Sequence, residues 1–235
     1  MAQPAAEASD DIRSHLAIAL DVDDVVVALR LARQVAPWFG VAKVGLELFT
    51  ATGPDAVGML TDAGFDVFVD LKLHDIPTTV EKSAAVLGAL GARYASLHAQ
   101  SGSVMLRAGV EGLARGAADA GLPPPVALAV TILTSDAGAP PHILGQRVKA
   151  ALEAGCGGIV CAASDIKEAR TLAPRLKIVV PGIRPEGSPE HDQARRATPA
   201  DALELGADLL VIGRPVTNAT DPGAAAQEIA ASLGA

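Results

Sequence analysis

Asp70-Leu-Lys-Leu-His-Asp75 sets two carboxylates and an ammonium close together, directly after the apolar run Val67-Phe68-Val69. A charge taken into a core costs several kcal/mol unless a partner offsets it, so these groups either lie on the surface or form a site. Alternation along a strand puts Asp70 and Lys72 on one side above Phe68, with Leu71 and Leu73 on the other. Asp75 has the opposite parity and lies past the strand. It either caps the next helix or reaches away from its own site. Asp21 and Lys43 are expected on neighbouring strands, which would turn one ion pair into an alternating array of the kind that enzymes use. The plain alternative is a structural ion pair at a strand end.

A second constellation is VVPGIRP at 179–185 followed by VIGRP at 211–215. Gly182 and Gly213 would let backbone N–H groups approach an oxyanion, Pro215 suits the first position of a short helix, and Arg214 can grip a phosphate through two hydrogen bonds. The plain alternative is that these glycines only end strands and the arginines are solvated. The polar stretch PEGSPEHDQARRA at 185–197 reads either as a lid over such a site or as an ordinary surface loop.

The elements that must hold these groups come from an alternation of short β-rich runs with Ala/Leu-rich stretches. The predicted strands are 15–21, 41–48, 66–73, 94–99, 126–133, 158–162, 177–182 and 208–213. Helices fit between them, for example over 24–35 and 78–90; the latter carries a capping-box pattern, Thr78 with Glu81, just after Pro77. Strand–helix alternation forces parallel pairing, and eight units in a chain of 235 residues match an α/β fold of the (β/α)8 TIM-barrel type. A doubly wound open sheet is the runner-up, disfavoured because no G-x-G-x-x-G follows the first strand. No composition break divides the chain, so one domain over 15–235 is expected, with residues 1–14 as a flexible tail.

Composition narrows the function. Half the residues are hydrophobic but only 3% are aromatic, which suits small-residue helices packed on a branched aliphatic sheet. A net charge of −8 without any Lys/Arg-rich run argues against a nucleic-acid partner. Residues 1–14 carry no basic start or apolar stretch, so no signal peptide is expected, and no apolar run is long enough for a membrane span. Cys156 and Cys161 alone make neither a disulfide framework nor a zinc set, and a cytoplasmic location follows as the simplest expectation. His15, His74, His98, His142 and His191 have no metal-ligand spacing; His98 reads as a strand-end residue satisfied by hydrogen bonds. Ser101 and Ser103 near His98 lack a nucleophile elbow.

Taken in order, ALD at 19–21, KVGLELF at 43–49, DLKLHDIPTTV at 70–80, LHAQSG at 97–102, AVTILTS at 129–135, PGIR at 181–184, DQ at 192–193 with RRATP, and VIGRP at 211–215 resemble the orotidine 5′-phosphate decarboxylases. The resemblance implies a barrel enzyme, without metal or other cofactor, that converts orotidine 5′-monophosphate to UMP and CO₂ at the end of pyrimidine nucleotide synthesis. It implies a homodimer, with Asp75 and Thr79 entering the neighbouring subunit's site and Ile76 among the substrate contacts. Lys43, Asp70, Lys72 and Asp75 would form the charged array. Asp21 and Lys43 would hold ribose hydroxyls, Thr134 or Ser135 the pyrimidine, and Arg184, Gln193, Gly213 and Arg214 the base-phosphate end.

Loss of CO₂ leaves a carbanion without an adjacent carbonyl, which Lys72 suits both as fixed cation and as proton donor, with Asp70 against the departing carboxylate. The nearest rivals are 3-keto-gulonate 6-phosphate decarboxylases and hexulose-phosphate synthases, Mg²⁺-dependent barrels that share D-x-K-x-x-D. These need a carboxylate where this chain has Lys43, and a lysine there would repel the metal. A third reading, a barrel that only binds phosphate, leaves the clustered charge without a reason.

Overall fold

The computed structural model describes residues 7–136, 138–185 and 197–234. Eight parallel strands close into a barrel in sequence order. They are β1 (Leu16–Ala19), β2 (Val41–Val44), β3 (Asp66–Leu73), β4 (Tyr94–His98), β5 (Val126–Val130), β6 (Gly158–Val160), β7 (Lys177–Pro181) and β8 (Leu209–Ile212). Closure is direct: β1 pairs with β2 on one side and with β8 on the other.

The first helices are α1 (Asp10–Ser14), α2 (Val25–Val35), α3 (Leu46–Thr52), α4 (Asp55–Asp62), α5 (Pro77–Ala89) and α6 (Gly102–Asp119). After them come α7 (His142–Ala154), α8 (Ile166–Leu172), α9 (Pro199–Glu204), α10 (Arg214–Thr217) and α11 (Pro222–Ala231).

Two cores follow from strand alternation. Ala17, Ala19, Val41, Phe68, Leu128 and Val179 point inward and fill the barrel, as such interiors require. Leu16, Ile18, Ala42, Val67, Val69 and Ile178 point outward into the larger layer between sheet and helices. Tight helix packing depends on bare backbone in α6. A Cβ at Gly112 would lie 2.2 Å from the Glu81 carbonyl oxygen, and one at Gly116 only 1.8 Å from that of Ala85, both on α5. That contact fixes α5, and with it the segment that joins α5 to β3.

Four expectations need correction. Residues 10–14 form α1, capped by Ser9, and Ala8 is buried, so the tail is ordered there instead of flexible. The strand expected over 41–48 ends at Val44 and gives way to α3 at Leu46, because Gly45 turns the chain and Glu47 then becomes an exposed helical residue. The strand expected over 126–133 ends at Val130. Helix α5 starts at Pro77 with Ile76 as its cap and no capping side chain: proline takes the first helical position, which moves the cap ahead of Thr78. Glu81 instead pairs with Arg115 of α6.

Candidate active site

Inward parity puts Val41 and then Lys43 in the interior of β2, with Ala19 of β1 beside Lys43 in register. A lysine so buried, 7% exposed, needs a partner. Asp21, two residues past β1, supplies it: the Lys43 Nζ donates to Asp21 Oδ1 at 2.6 Å. The pair fits only because residue 45 has no side chain. A Cβ there would stand 2.8 Å from Asp21 Oδ1 and 3.0 Å from Lys43 Nζ.

On β3 the predicted parity holds, but through a break in the pleat. Pairing with β4 runs Phe68↔Tyr94 and Val69↔Ala95, then jumps to Leu73↔Leu97. Asp70, Leu71 and Lys72 therefore stand opposite Ser96 alone. Lys72 absorbs the extra length with φ +51°, the one positive φ at a non-glycine among the described residues. Such a conformation costs an L-residue about 1–2 kcal/mol. The Lys72 Nζ donates to Asp70 Oδ2 at 2.8 Å, and both side chains are partly shielded from water. Leu71 and Leu73 pack on the helical layer, as expected.

Both pairs line one cavity of about 250 Å³ at the C-terminal mouth of the barrel, the face on which such barrels carry their sites. Its lining also includes Thr134, Gly182, Arg184, Gly213 and Arg214. Arg184 is buried, and its backbone N–H donates to the Ala197 carbonyl at 3.3 Å. Gly182 adopts φ +77°, a turn that any side chain would strain. Gly213 precedes α10, whose first turn holds Pro215.

Several expected residues stand elsewhere. Ser135 is exposed and does not line the cavity, so of the two candidates for the pyrimidine only Thr134 reaches it. Asp75, Ile76 and Thr79 are exposed and lie outside this chain's own cavity; the Asp75 Oδ1 accepts from the Ile76 N–H at 2.6 Å. Gln193 and most of the 185–197 segment fall outside the described residues.

Ser96 was missed. Its hydroxyl donates to Asp70 Oδ1 at 2.8 Å and accepts from the Lys72 N–H at 2.9 Å, with the residue 1% exposed. The signal was present: a small polar residue of inward parity, two after Tyr94 and set between Ala95 and Leu97.

His98, at the end of β4, stacks on His74 with centroids 5.3 Å apart, and its Nδ1 accepts from the Gln100 N–H. Burial lowers its pKa, helped by the nearby His74, Arg147 and Lys72. Cys156 and Cys161 are buried, which pushes both thiols up to about 12 and leaves them unreactive near neutral pH.

Known proteins share the sequence and the barrel. A family model described as the orotidine 5′-phosphate decarboxylase / HUMPS family matches residues 14–229. The orotidine 5′-phosphate decarboxylase of Anaeromyxobacter dehalogenans is 46% identical over 230 residues, covering 93% of this chain and 98% of that protein. The one from Moorella thermoacetica is 43% identical over 238 residues, covering 94% of each. The crystal structure of orotidine 5′-phosphate decarboxylase from Lactobacillus acidophilus matches with a TM-score of 0.80 and 34% identity, over 94% of this chain and 99% of that one. The match covers nearly the whole length, in sequence and in structure: the chain belongs to the orotidine 5′-phosphate decarboxylase / HUMPS family.

Proposed function

We propose that the protein decarboxylates orotidine 5′-monophosphate to UMP and CO₂ in pyrimidine nucleotide synthesis, using side chains alone. The observation that carries this reading is the pair of Asp–Lys contacts, Asp21–Lys43 and Asp70–Lys72, along one wall of a single cavity. The family model spans metal-dependent relatives as well. Lys43 favours the metal-free branch, because its ammonium occupies the place where those relatives need a carboxylate.

The chemistry follows from charge. The bond between ring carbon and carboxylate breaks, CO₂ leaves, and the electron pair stays on the ring carbon. The Lys72 ammonium faces that charge and then gives it a proton. A cation about 4 Å from a unit negative charge, at an effective dielectric near 20, stabilises it by about 4 kcal/mol, close to a thousandfold in rate. General-acid transfer adds about a hundredfold or more. Asp70 aims Lys72 and stands beside the departing carboxylate. Asp21 and Lys43 take the ribose hydroxyls, and Thr134 the pyrimidine.

Gly182, Arg184, Gly213 and Arg214 receive the phosphate end, with Gln193 assigned to the same end. Binding there is remote from the reacting carbon and acts by ordering the site. Arg214→Ala should lower kcat/KM by at least about a hundredfold, the lower end of the loss expected for two hydrogen bonds to a charged group. Unchanged kinetics would remove the phosphate assignment.

The homodimer belongs to the same reading. Ile76 is 66% exposed, between the exposed Asp75 and Thr79, a surface suited to lie against a second subunit's mouth. If Asp75 serves the neighbouring site, mixing inactive Lys72→Ala and Asp75→Ala chains regenerates one intact site in each mixed dimer, about a quarter of wild-type activity overall. An active Asp75→Ala chain would place Asp75 outside the reaction, and no recovery from two inactive chains would contradict the shared site. A cytoplasmic setting completes the proposal. Release of UMP and CO₂ from orotidine 5′-monophosphate, followed by chromatography, tests the activity itself; intact substrate after prolonged incubation would refute it.

A further inference from the structure

Ser96 is the one residue of β4 that meets the irregular stretch of β3, and its hydroxyl both donates and accepts there. A serine hydroxyl has one proton to give and lone pairs to receive. Here the proton goes to Asp70 Oδ1 and a lone pair takes the Lys72 N–H. The second contact replaces a ladder bond: the pairing jump leaves Lys72, at φ +51°, without a regular backbone partner across from it. The first contact orients the carboxylate whose other oxygen, Oδ2, accepts from the Lys72 Nζ. A closed circuit results, running from the Lys72 backbone through Ser96 and Asp70 to the Lys72 ammonium.

We propose that Ser96 is a positioning residue for decarboxylation: it fastens both ends of the Asp70–Lys72 pair, so that the ammonium is held at the point where charge develops. The inference rests on the proposal that Lys72 is the proton donor. Ser96 itself lies behind the pair and does not line the cavity, so it acts through its neighbours. A freed Asp70 carboxylate can rotate, and a freed Lys72 backbone can leave its strained conformation. Either motion moves the ammonium, and small displacements of a preorganised charge are costly to rate.

The test compares Ser96→Ala, Ser96→Thr and Ser96→Cys with wild type and a Lys72→Ala control, reading kcat, KM and melting temperature. Ser96→Ala should lower kcat roughly tenfold to a hundredfold, the range set by losing a hydrogen bond to a charged group. KM should change by less than about threefold, because the ribose and phosphate contacts are untouched. Ser96→Thr keeps the hydroxyl and should recover most of kcat; Ser96→Cys, a weak donor, should fall below it.

A Ser96→Ala enzyme with kcat within twofold of wild type would overturn the proposal, as would equal losses in the alanine and threonine variants at similar stability. A loss confined to KM would do the same. If the alanine variant fails to fold, the order of threonine above cysteine decides, and equality counts against the role. Substantial activity in Lys72→Ala would remove the proton-donor reading first. An inactive Lys72→Ala beside a normal Ser96→Ala would overturn the positioning role alone.

Discussion

Replacing Lys72 with glycine should give a more stable protein than replacing it with alanine, although both lose the ammonium. The two variants leave Asp70 equally unpaired, so that loss cancels between them. What differs is the backbone. At φ +51° an alanine retains the left-handed penalty of about 1–2 kcal/mol, which glycine escapes. Glycine gives back part of this, about 0.4–1 kcal/mol, because its unfolded chain has more freedom to lose. The net expectation is about 1 kcal/mol in favour of Lys72→Gly, or roughly 2–4 °C in melting temperature for a chain of this size. Urea unfolding followed by circular dichroism measures it directly. Equal midpoints, or a less stable glycine variant, would refute the claim that Lys72 sits in a strained backbone conformation.

Gly45→Ala should push a methyl group between Asp21 and Lys43, where the gaps are 2.8 and 3.0 Å, and lower kcat/KM at least about tenfold through the ribose contacts; wild-type steady-state kinetics would show that the pair is not confined. Gly116→Ala places its Cβ 1.8 Å from a backbone oxygen that cannot swing aside, so overpacking should cost about 2–3 kcal/mol and lower the melting temperature by roughly 5–10 °C, checked by calorimetry. The pKa of His98 is lowered from its ordinary 6.5, so the unfolded chain takes up the proton first as pH falls. Its contribution is therefore present above pH 6.5 and is lost on acidification through the lowered folded value. A His98→Gln variant should lose stability less steeply between pH 7 and pH 5, and parallel curves would count against this.

The sequence carried the barrel because parallel strands buried on both faces keep continuous runs such as VFV at 67–69 and LLVI at 209–212, each followed by a helical stretch. Inward parity also carried Asp70, Lys72 and Lys43 to the mouth. Local breaks were harder to see. VGLEL at 44–48 alternates like a strand, yet Gly45 ends the strand and Leu46 opens α3. The extra length in β3 falls on a lysine, where no glycine or asparagine marks a left-handed residue, so spacing showed the inward parity of Ser96 but not the register jump that closes the circuit. Thr78 and Glu81 matched a capping pattern, but Pro77 preempted it. Asp75, proposed as the fourth member of the charged array, was legible only as an anomaly of parity: it stands outside its own chain's cavity.

The central claim is that Lys72 drives decarboxylation without a metal. The most direct measurement follows the orotate chromophore of orotidine 5′-monophosphate in the ultraviolet, with excess EDTA, for wild type and Lys72→Ala. The account predicts rapid loss in wild type and a rate lower by roughly 10⁵-fold or more in the variant, the product of the electrostatic and proton-transfer contributions. Activity in wild type that vanishes with EDTA and returns with Mg²⁺, or a Lys72→Ala enzyme within tenfold of wild type, would contradict it.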